Sequence, residues 1–318
     1  MVGAGAIATT HAQTLATIEG VSLAGVYDID PQRAGDYAAK HNTKAYSSLD
    51  AMLEKVDAVY ICSLPQAHRE SAVRAAEMGV HVCSEKPLAK TVEDGLAIQE
   101  AVERAGITFM VAFPFRFLAG FMRLKELLDR GVLGKIFSYW DTRMIWLPHP
   151  PPNWRTDPRH IMGMTIESMS HDFDLMRYLV GDVTSAVGKV ATSRPDLNGY
   201  DNITTCILTL ASGGMATIHS SWAGHQSIFQ IGIVGSEASL IFQDDVIRWK
   251  RADEPETVLE PNTPEFQMNG LQRETHYFIQ CLRTGARPHV GVRDGVATLK
   301  ISHAVLKSAR DGIMVPIE

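Results

Sequence analysis

Cysteine is scarce: the 318 residues hold four, Cys62, Cys83, Cys206 and Cys281, and no two of them form a CxxC pair. That scatter supplies neither a disulfide framework nor zinc-ligand spacing, so no metal site is expected. Cys62 and Cys83 lie in apolar runs, where a free thiol behaves as a small buried hydrophobe. The expectation is reduced thiols in a cytoplasmic protein. No apolar stretch reaches the roughly 18 residues that cross a bilayer. No basic segment leads into an apolar core at the start, so no secretory signal is expected. Runs of five Lys or Arg are missing too, and 30 basic against 36 acidic residues leave a net charge of −6. Such a balance speaks against nucleic-acid and polybasic membrane partners. There is no GxSxG turn for a Ser-His-Asp hydrolase, and no repeat or low-complexity segment.

What remains is an ordinary globular composition, 45% hydrophobic and 21% charged. At roughly 150 residues per domain the length suggests two domains, each able to bury a core. Apolar runs at 22–28, 58–64, 80–84 and 108–113 alternate with amphipathic stretches at 8–18, 31–41, 69–78 and 92–105. That is the grammar of βαβ units and of a parallel, doubly wound sheet. Pro31 suits a helix start, with Asp30 as its N-cap. After Phe113 the pattern changes to a helix at 118–130, a strand at 136–145, a Pro-rich loop at 149–153 and a helix at 167–179. Strands follow from 183 to 259, with Ser212-Gly213-Gly214 as a hairpin turn, and helices at 271–283 and 292–310 close the chain. The fold class expected is α/β, a Rossmann domain at 1–117 followed by an α+β domain at 118–318.

Gly3-Ala4-Gly5-Ala6-Ile7-Ala8 matches GxGxxA. The first glycine permits a tight strand-to-helix turn, and the second lets the backbone approach a pyrophosphate. The small third residue packs the helix on the sheet, and the helix N-terminus offers free N–H groups to the anion. Asp28 stands 20 residues beyond Ala8, where a carboxylate at a strand tip binds an adenosine ribose. It also repels a 2′-phosphate, which favours NAD over NADP; Arg33 is the nearest base that could serve NADP. Only Met1 and Val2 precede the glycines, where about five strand residues are usual. Either the start lies upstream or this first strand is unusually short.

Two segments carry candidate chemistry. Lys86, in Ser84-Glu85-Lys86-Pro87, ends a strand, and open parallel sheets bind ligands beyond the carboxyl ends of their strands. Pro87 keeps Lys86 out of helical backbone angles. Spacing alone reads better as a strand-end surface lysine. In the second segment Glu167, His171 and Asp174 share a face of one expected helix, so a carboxylate could orient His171 as a proton acceptor. A solvent-facing row of ion pairs would read the same way. Trp140, Arg143, Trp146, His149, Trp154 and Arg155 surround the Pro-rich loop. They suit either a polyhydroxylated or acidic ligand or a loop pinned by aromatic packing, with Arg155–Asp157 as a local pair.

The ordered set of GAGAIA, Ser63-Leu64-Pro65-Gln66-Ala67-His68, Glu85-Lys86-Pro87 and Glu167…His171…Asp174 resembles the glucose–fructose oxidoreductase / inositol dehydrogenase (Gfo/Idh/MocA) family. The likeness runs over nearly the whole chain, including Arg116 in the link between domains. It implies a second domain built on a large, open, mostly antiparallel sheet that binds substrate and mediates oligomerisation. The implied activity is NAD(P)-dependent hydride transfer between nicotinamide and a secondary alcohol or ketone of a sugar, cyclitol or related polyol. Lys86, His171 and Glu167 become the implied catalytic group. Gly3, Gly5, Ala6, Ile7, Asp28, Ser63, Leu64, His68, Glu85 and Lys86 become the cofactor-binding set, and Arg116, Trp154, Arg155 and Asp174 substrate contacts.

In that scheme His171 accepts the hydroxyl proton and Lys86 stabilises the alkoxide. Glu167 stands where many relatives carry Asp, and Leu64 where Pro is usual. Gly163-Met164-Thr165 replaces a run of glycines, and Ala112-Phe113-Pro114 replaces a GFN-type segment. Two other outcomes share the scheme, an NAD-dependent glycoside hydrolase and a non-catalytic dinucleotide sensor. An uncovered sheet face with Ile207, Ile218 and Ile231 is expected to give a homodimer or homotetramer.

Overall fold

The computed structural model describes residues 1–147, 154–260 and 268–318. His149, named above as a pocket candidate, lies outside them. In chain order the first elements are helices α1 (Ala6–Leu15), α2 (Pro31–Lys40) and α3 (Leu49–Leu53), strand β1 (Ala58–Ile61), α4 (His68–Glu77), β2 (His81–Ser84), α5 (Val92–Ala105) and β3 (Phe109–Val111). Then come α6 (Ala119–Asp129), β4 (Ile136–Trp146), α7 (Met164–Glu167), α8 (Ser170–Val180), β5 (Val183–Ala191), β6 (Ile203–Leu210) and β7 (Met215–Ser221). They are followed by β8 (Ala223–Gly235), β9 (Ser239–Gln243), β10 (Val246–Lys250), β11 (Thr257–Leu259), α9 (Gly270–Thr284), α10 (Val292–Asp311) and β12 (Val315–Pro316). Two compact units result, Met1–Pro114 with Met268–Leu299, and Phe115–Gln267 with Lys300–Glu318.

The linear division at 117/118 therefore misplaces one segment, because Met268–Leu299 packs with the first unit. The reason is apolar and polar pairing: Phe278 of α9 meets the Tyr60 ring edge-on at 5.6 Å, and Leu299 fills the space above Gly95.

In the first unit β1, β2 and β3 pair in parallel. Val2 extends the sheet by bridging Ile61 on one side and Tyr27 on the other, and Val26 bridges Ala45 beyond. The order is that of a doubly wound sheet. The strand expected at 22–28 is reduced to bridges at Val26 and Tyr27. Asp30 caps α2 as expected, its side chain accepting from the N–H groups of Gln32 and Arg33.

The second unit has a nine-stranded sheet in the order β11-β10-β9-β8-β4-β7-β6-β5-β12. Among the described residues only the β4–β7 pairing of this sheet is parallel. Burial alternates along β5, β6 and β7, the period-two signature of a sheet with one covered face. Helix α8 packs on β4 and α6 on β10, over a core that includes Phe121, Tyr139, Phe173, Leu208 and Ile233. Ile218 and Ile231, expected on the open face, point into this core at 0% exposure, whereas Ile207 is 51% exposed. The side chains of one strand alternate between faces, so only every second apolar residue could have been exposed.

All four cysteines are free and buried. Among the described residues no helix is long and apolar enough to cross a membrane.

Candidate active-site residues

In the first unit the GxGxxA segment is a strand-to-helix turn. Gly3 takes φ 93°, and a Cβ there would lie 2.8 Å from the Ser63 nitrogen, so glycine is required on both counts. Gly5 is the N-cap of α1, with no side chain capping the helix. A Cβ on Gly5 would meet nothing within 4 Å, which leaves open space in front of the uncapped N–H groups around Ala6 and Ile7. Ala8 is fully buried against the sheet. Asp28 Oδ2 accepts from the Ala4 N–H at 2.8 Å and from Arg33 Nη2 at 2.8 Å, and Oδ1 accepts from the Asp30 N–H at 3.0 Å. The carboxylate is thus fixed beside the glycine turn, and Arg33 lies on it as an ion pair. The buried Ser63 hydroxyl oxygen at the β1 exit has no hydrogen-bond partner among the described residues. A helix N-terminus open to an anion, a ribose-type carboxylate and an unsatisfied hydroxyl fit a dinucleotide.

Past β2, the Glu85 carboxylate accepts from the Lys86 N–H at 3.2 Å and from His11 Nε2 at 2.8 Å. Burial pushes the Glu85 carboxyl up, but the hydrogen bond and charge of His11 and the Lys86 charge outweigh it and hold the group below its usual range. Lys86 is half-buried, and the Lys86–Pro87 peptide is cis. Leu64 is the N-cap of a short 3-10 turn at Pro65–Ala67 that leads into α4.

His68, read as a helix-start or nicotinamide-side structural residue and placed in the cofactor-binding set, begins α4 and braces the interior. It is fully buried, with Nδ1 3.1 Å from the Pro87 carbonyl oxygen and Nε2 3.0 Å from that of Ser63. Sequence spacing could not show this, because the two carbonyls belong to different strand exits. Burial lowers the His68 pKa more than those carbonyls raise it. The unfolded chain then takes up a proton near pH 6.5 that the folded chain resists, so stability falls as pH drops below that value. In His68→Gln we expect a flatter fall between pH 7 and pH 5 in chemical denaturation; a slope equal to the parent's would contradict the brace.

In the second unit the single helix expected at 167–179 is two, because α7 ends at Glu167 and α8 begins at Ser170. Glu167 and His171 are therefore not successive turns of one helix. Three arginines from three different elements secure this segment. Arg116, in the turn Pro114–Phe117, donates from Nε and Nη2 to the two oxygens of Asp174 at 2.8 and 2.6 Å. Arg143, on β4, donates to Asp172 at 2.7 and 2.6 Å and from Nη2 to the Ser168 hydroxyl at 2.8 Å. Arg155 donates from Nε to Glu167 Oε1 at 2.7 Å, and the Tyr200 hydroxyl donates to Oε2 at 2.9 Å. His171, half-buried on the first turn of α8, stacks on Phe115 with ring centroids 4.7 Å apart.

These pairings revise the expected contacts. Arg116 and Asp174 are buried and bound to each other, and Glu167 is an anchor for Arg155 and Tyr200. Asp157 pairs with Arg159 at 2.6 Å. The Arg155 guanidinium also lies over the Trp154 ring at 4.5 Å. Beneath Asp172, the buried Asp141 carboxyl is pushed well above its usual range by burial and by the Asp172 charge. The reading of the sequence missed His11, Tyr200 and Asp141. For His11 a signal exists, a histidine on the buried face of α1 beside Ala8 and Ala12; for Tyr200 and Asp141 no spacing pointed to them.

Known proteins are similar to this chain in sequence and fold. A family model described as "Oxidoreductase family, NAD-binding Rossmann fold" matches residues 1–113, and a "GFO/IDH/MocA C-terminal domain" model matches 121–241. The chain belongs to the Gfo/Idh/MocA oxidoreductase family. Its first domain is an NAD-binding Rossmann domain, as expected, and the large, mostly antiparallel sheet is the family's second domain. Among curated relatives, myo-inositol 2-dehydrogenase of Thermotoga maritima is 28% identical over 100% of this chain and 98% of its own. The WlbA dehydrogenase of Bordetella pertussis, solved with NADH and UDP-GlcNAcA, is 26% identical with a TM-score of 0.88, covering 100% and 97% of the two chains. A levoglucosan dehydrogenase solved with NADH and levoglucosan shares the fold at TM-score 0.90 and 21% identity, over 99% and 98%.

Proposed function

We propose that the chain is a cytoplasmic NAD-dependent dehydrogenase that oxidises a secondary alcohol of a sugar, cyclitol or related polyol. The observation that carries this reading is in the first unit. An uncapped helix N-terminus with open space at Gly5, a fixed Asp28 and Lys86 beyond the carboxyl end of β2 belong to one parallel sheet. The myo-inositol and sugar-nucleotide dehydrogenases among the similar proteins support the substrate class.

The N–H groups at Ala6 and Ile7 would hold the pyrophosphate, Asp28 the adenosine ribose, and the Ser63–Leu64 exit and Glu85-Lys86 the nicotinamide end. Bound NAD supplies the hydride acceptor. His171 accepts the proton of the substrate hydroxyl, and the Lys86 ammonium stabilises the negative charge that develops on that oxygen. Glu167 is held by Arg155 and Tyr200, and Asp172 and Asp174 by Arg143 and Arg116. In this scheme those pairs hold the α7–α8 segment that presents His171.

Removing the carboxylate at Asp28 should weaken NADH by roughly 10- to 100-fold, the range for a hydrogen bond to a charged group. Fluorescence titration of Asp28→Ala checks this, and unchanged affinity would take Asp28 out of the ribose site. We further propose a homo-oligomer. On the second unit's sheet Val187, Ile207, Met215 and Ile241 are exposed at 40–55%, and a second copy of the chain would cover such side chains.

The reading is tested by NADH formation from NAD with inositols, aldoses, sugar acids, anhydro sugars and glycosides. A sustained rate with one class is expected. Sugar released from a glycoside without net NADH would mark a hydrolase, and silence with NADH bound would mark a sensor; either defeats the dehydrogenase.

A further inference from the structure

His11 sits on the second turn of α1, the helix that begins at the dinucleotide turn, and is fully buried. A side chain placed there only to pack would be apolar. Instead its ring reaches two elements with two polar contacts. Nε2 lies 2.8 Å from Glu85 Oε1, and Nδ1 lies 3.4 Å from the Thr275 hydroxyl on α9. An ionised carboxylate only accepts, so Nε2 carries a proton and donates to Glu85, while Nδ1 faces the Thr275 hydroxyl. The other Glu85 oxygen accepts the Lys86 N–H at 3.2 Å, and the Glu85 N–H donates to the Ile61 carbonyl at 2.9 Å. Thr275, His11, Glu85 and the Lys86 backbone therefore form one connected set of hydrogen bonds that converges on the Glu85 carboxylate. The Tyr60 ring closes one side of the imidazole, with centroids 4.8 Å apart.

We propose that His11 is a positioning residue for Lys86: by holding the Glu85 carboxylate it fixes the Glu85-Lys86 backbone and ties it to the helix that starts the dinucleotide turn. The inference rests on the role proposed above for Lys86. Without His11 the carboxylate loses its strongest partner in a part-buried place, where it must move or take a proton. In either case the anion beside Lys86 and the bond to its N–H are disturbed, while the Gly3–Gly5 turn and Asp28 stay intact.

The test uses the full chain as H11A, H11Q, K86A and the double variant H11A/K86A. Binding is read by NADH fluorescence, turnover with the polyol that the parent oxidises fastest. Lys86 itself is read by reductive methylation with formaldehyde and cyanoborohydride followed by peptide mass spectrometry. In H11A, kcat should fall roughly tenfold or more, with the polyol KM and the NADH affinity within about threefold of the parent. Methylation at Lys86 should change by roughly threefold while Lys40 is unaffected, and H11Q, whose amide can donate to Glu85, should recover most of both. In the K86A background, H11A should cost little more, since its effect passes through Lys86. Parent-like H11A beside an impaired K86A overturns the inference alone, as does a loss that adds in full to that of K86A. Parent-like K86A defeats the Lys86 reading and the inference with it. Should H11A not fold, E85Q keeps the volume and removes the charge that His11 holds; the same fall in kcat is expected, and parent-like turnover would overturn the proposal.

Discussion

Lys86→Ala is expected to lower turnover by roughly 100- to 1,000-fold, the usual cost of losing one donor that stabilises an oxyanion. NADH affinity should stay within a few-fold, because the Gly3–Gly5 turn and Asp28 make no use of the lysine side chain in binding the pyrophosphate and ribose. The split between kcat and binding is the informative part. A lysine that served only to hold the dinucleotide would lose affinity first, whereas one that meets charge developing in the reaction loses rate first. Lys86 follows Glu85, whose carboxylate accepts from His11 Nε2 at 2.8 Å and from the Lys86 N–H at 3.2 Å. Steady-state kinetics with NADH titration on the same preparation decide it, and near-parent turnover would remove Lys86 from the chemistry.

The second large effect concerns stability. Asp174→Ala should cost about 3–5 kcal/mol, the range for removing one partner of a buried ion pair. Arg116 and Asp174 are 4% and 0% exposed and joined by two hydrogen bonds, so the truncation strands a guanidinium where water cannot replace the lost oxygens. The double variant Arg116→Met with Asp174→Leu should recover much of the loss, because it removes both charges and keeps the volume. Chemical denaturation monitored by tryptophan fluorescence measures both. A loss below about 1 kcal/mol for Asp174→Ala would mean that the pair does not anchor α8.

The fold was legible because its signals are local. Helix α5 could be placed from apolar periodicity, and the Ser212-Gly213-Gly214 turn between β6 and β7 from its residues, since each depends on near neighbours in the chain. What was lost lies in pairings across long separations. Asp174 and Arg116 are 58 residues apart, and Glu167 and Tyr200 33. No periodicity ranks such partners, so side chains bound to each other looked available to a ligand. The partners of His68 were hidden for the same reason, since its two carbonyl contacts converge only when neighbouring strands align. The helix expected at 167–179 failed differently. Its residues have helical spacing throughout, and the break at Ser168–Met169 comes with tertiary bonds such as that of Arg143 to Ser168.

The most direct measurement of the central claim is isotopic. The polyol that supports NADH formation would be supplied with deuterium on its carbinol carbons, and the NADH that accumulates analysed by mass spectrometry. The account predicts one deuterium per NADH on the nicotinamide ring, with a slower rate than for the unlabelled polyol. NADH free of deuterium would contradict direct transfer from a carbinol carbon, and with it the dehydrogenase assigned to this chain.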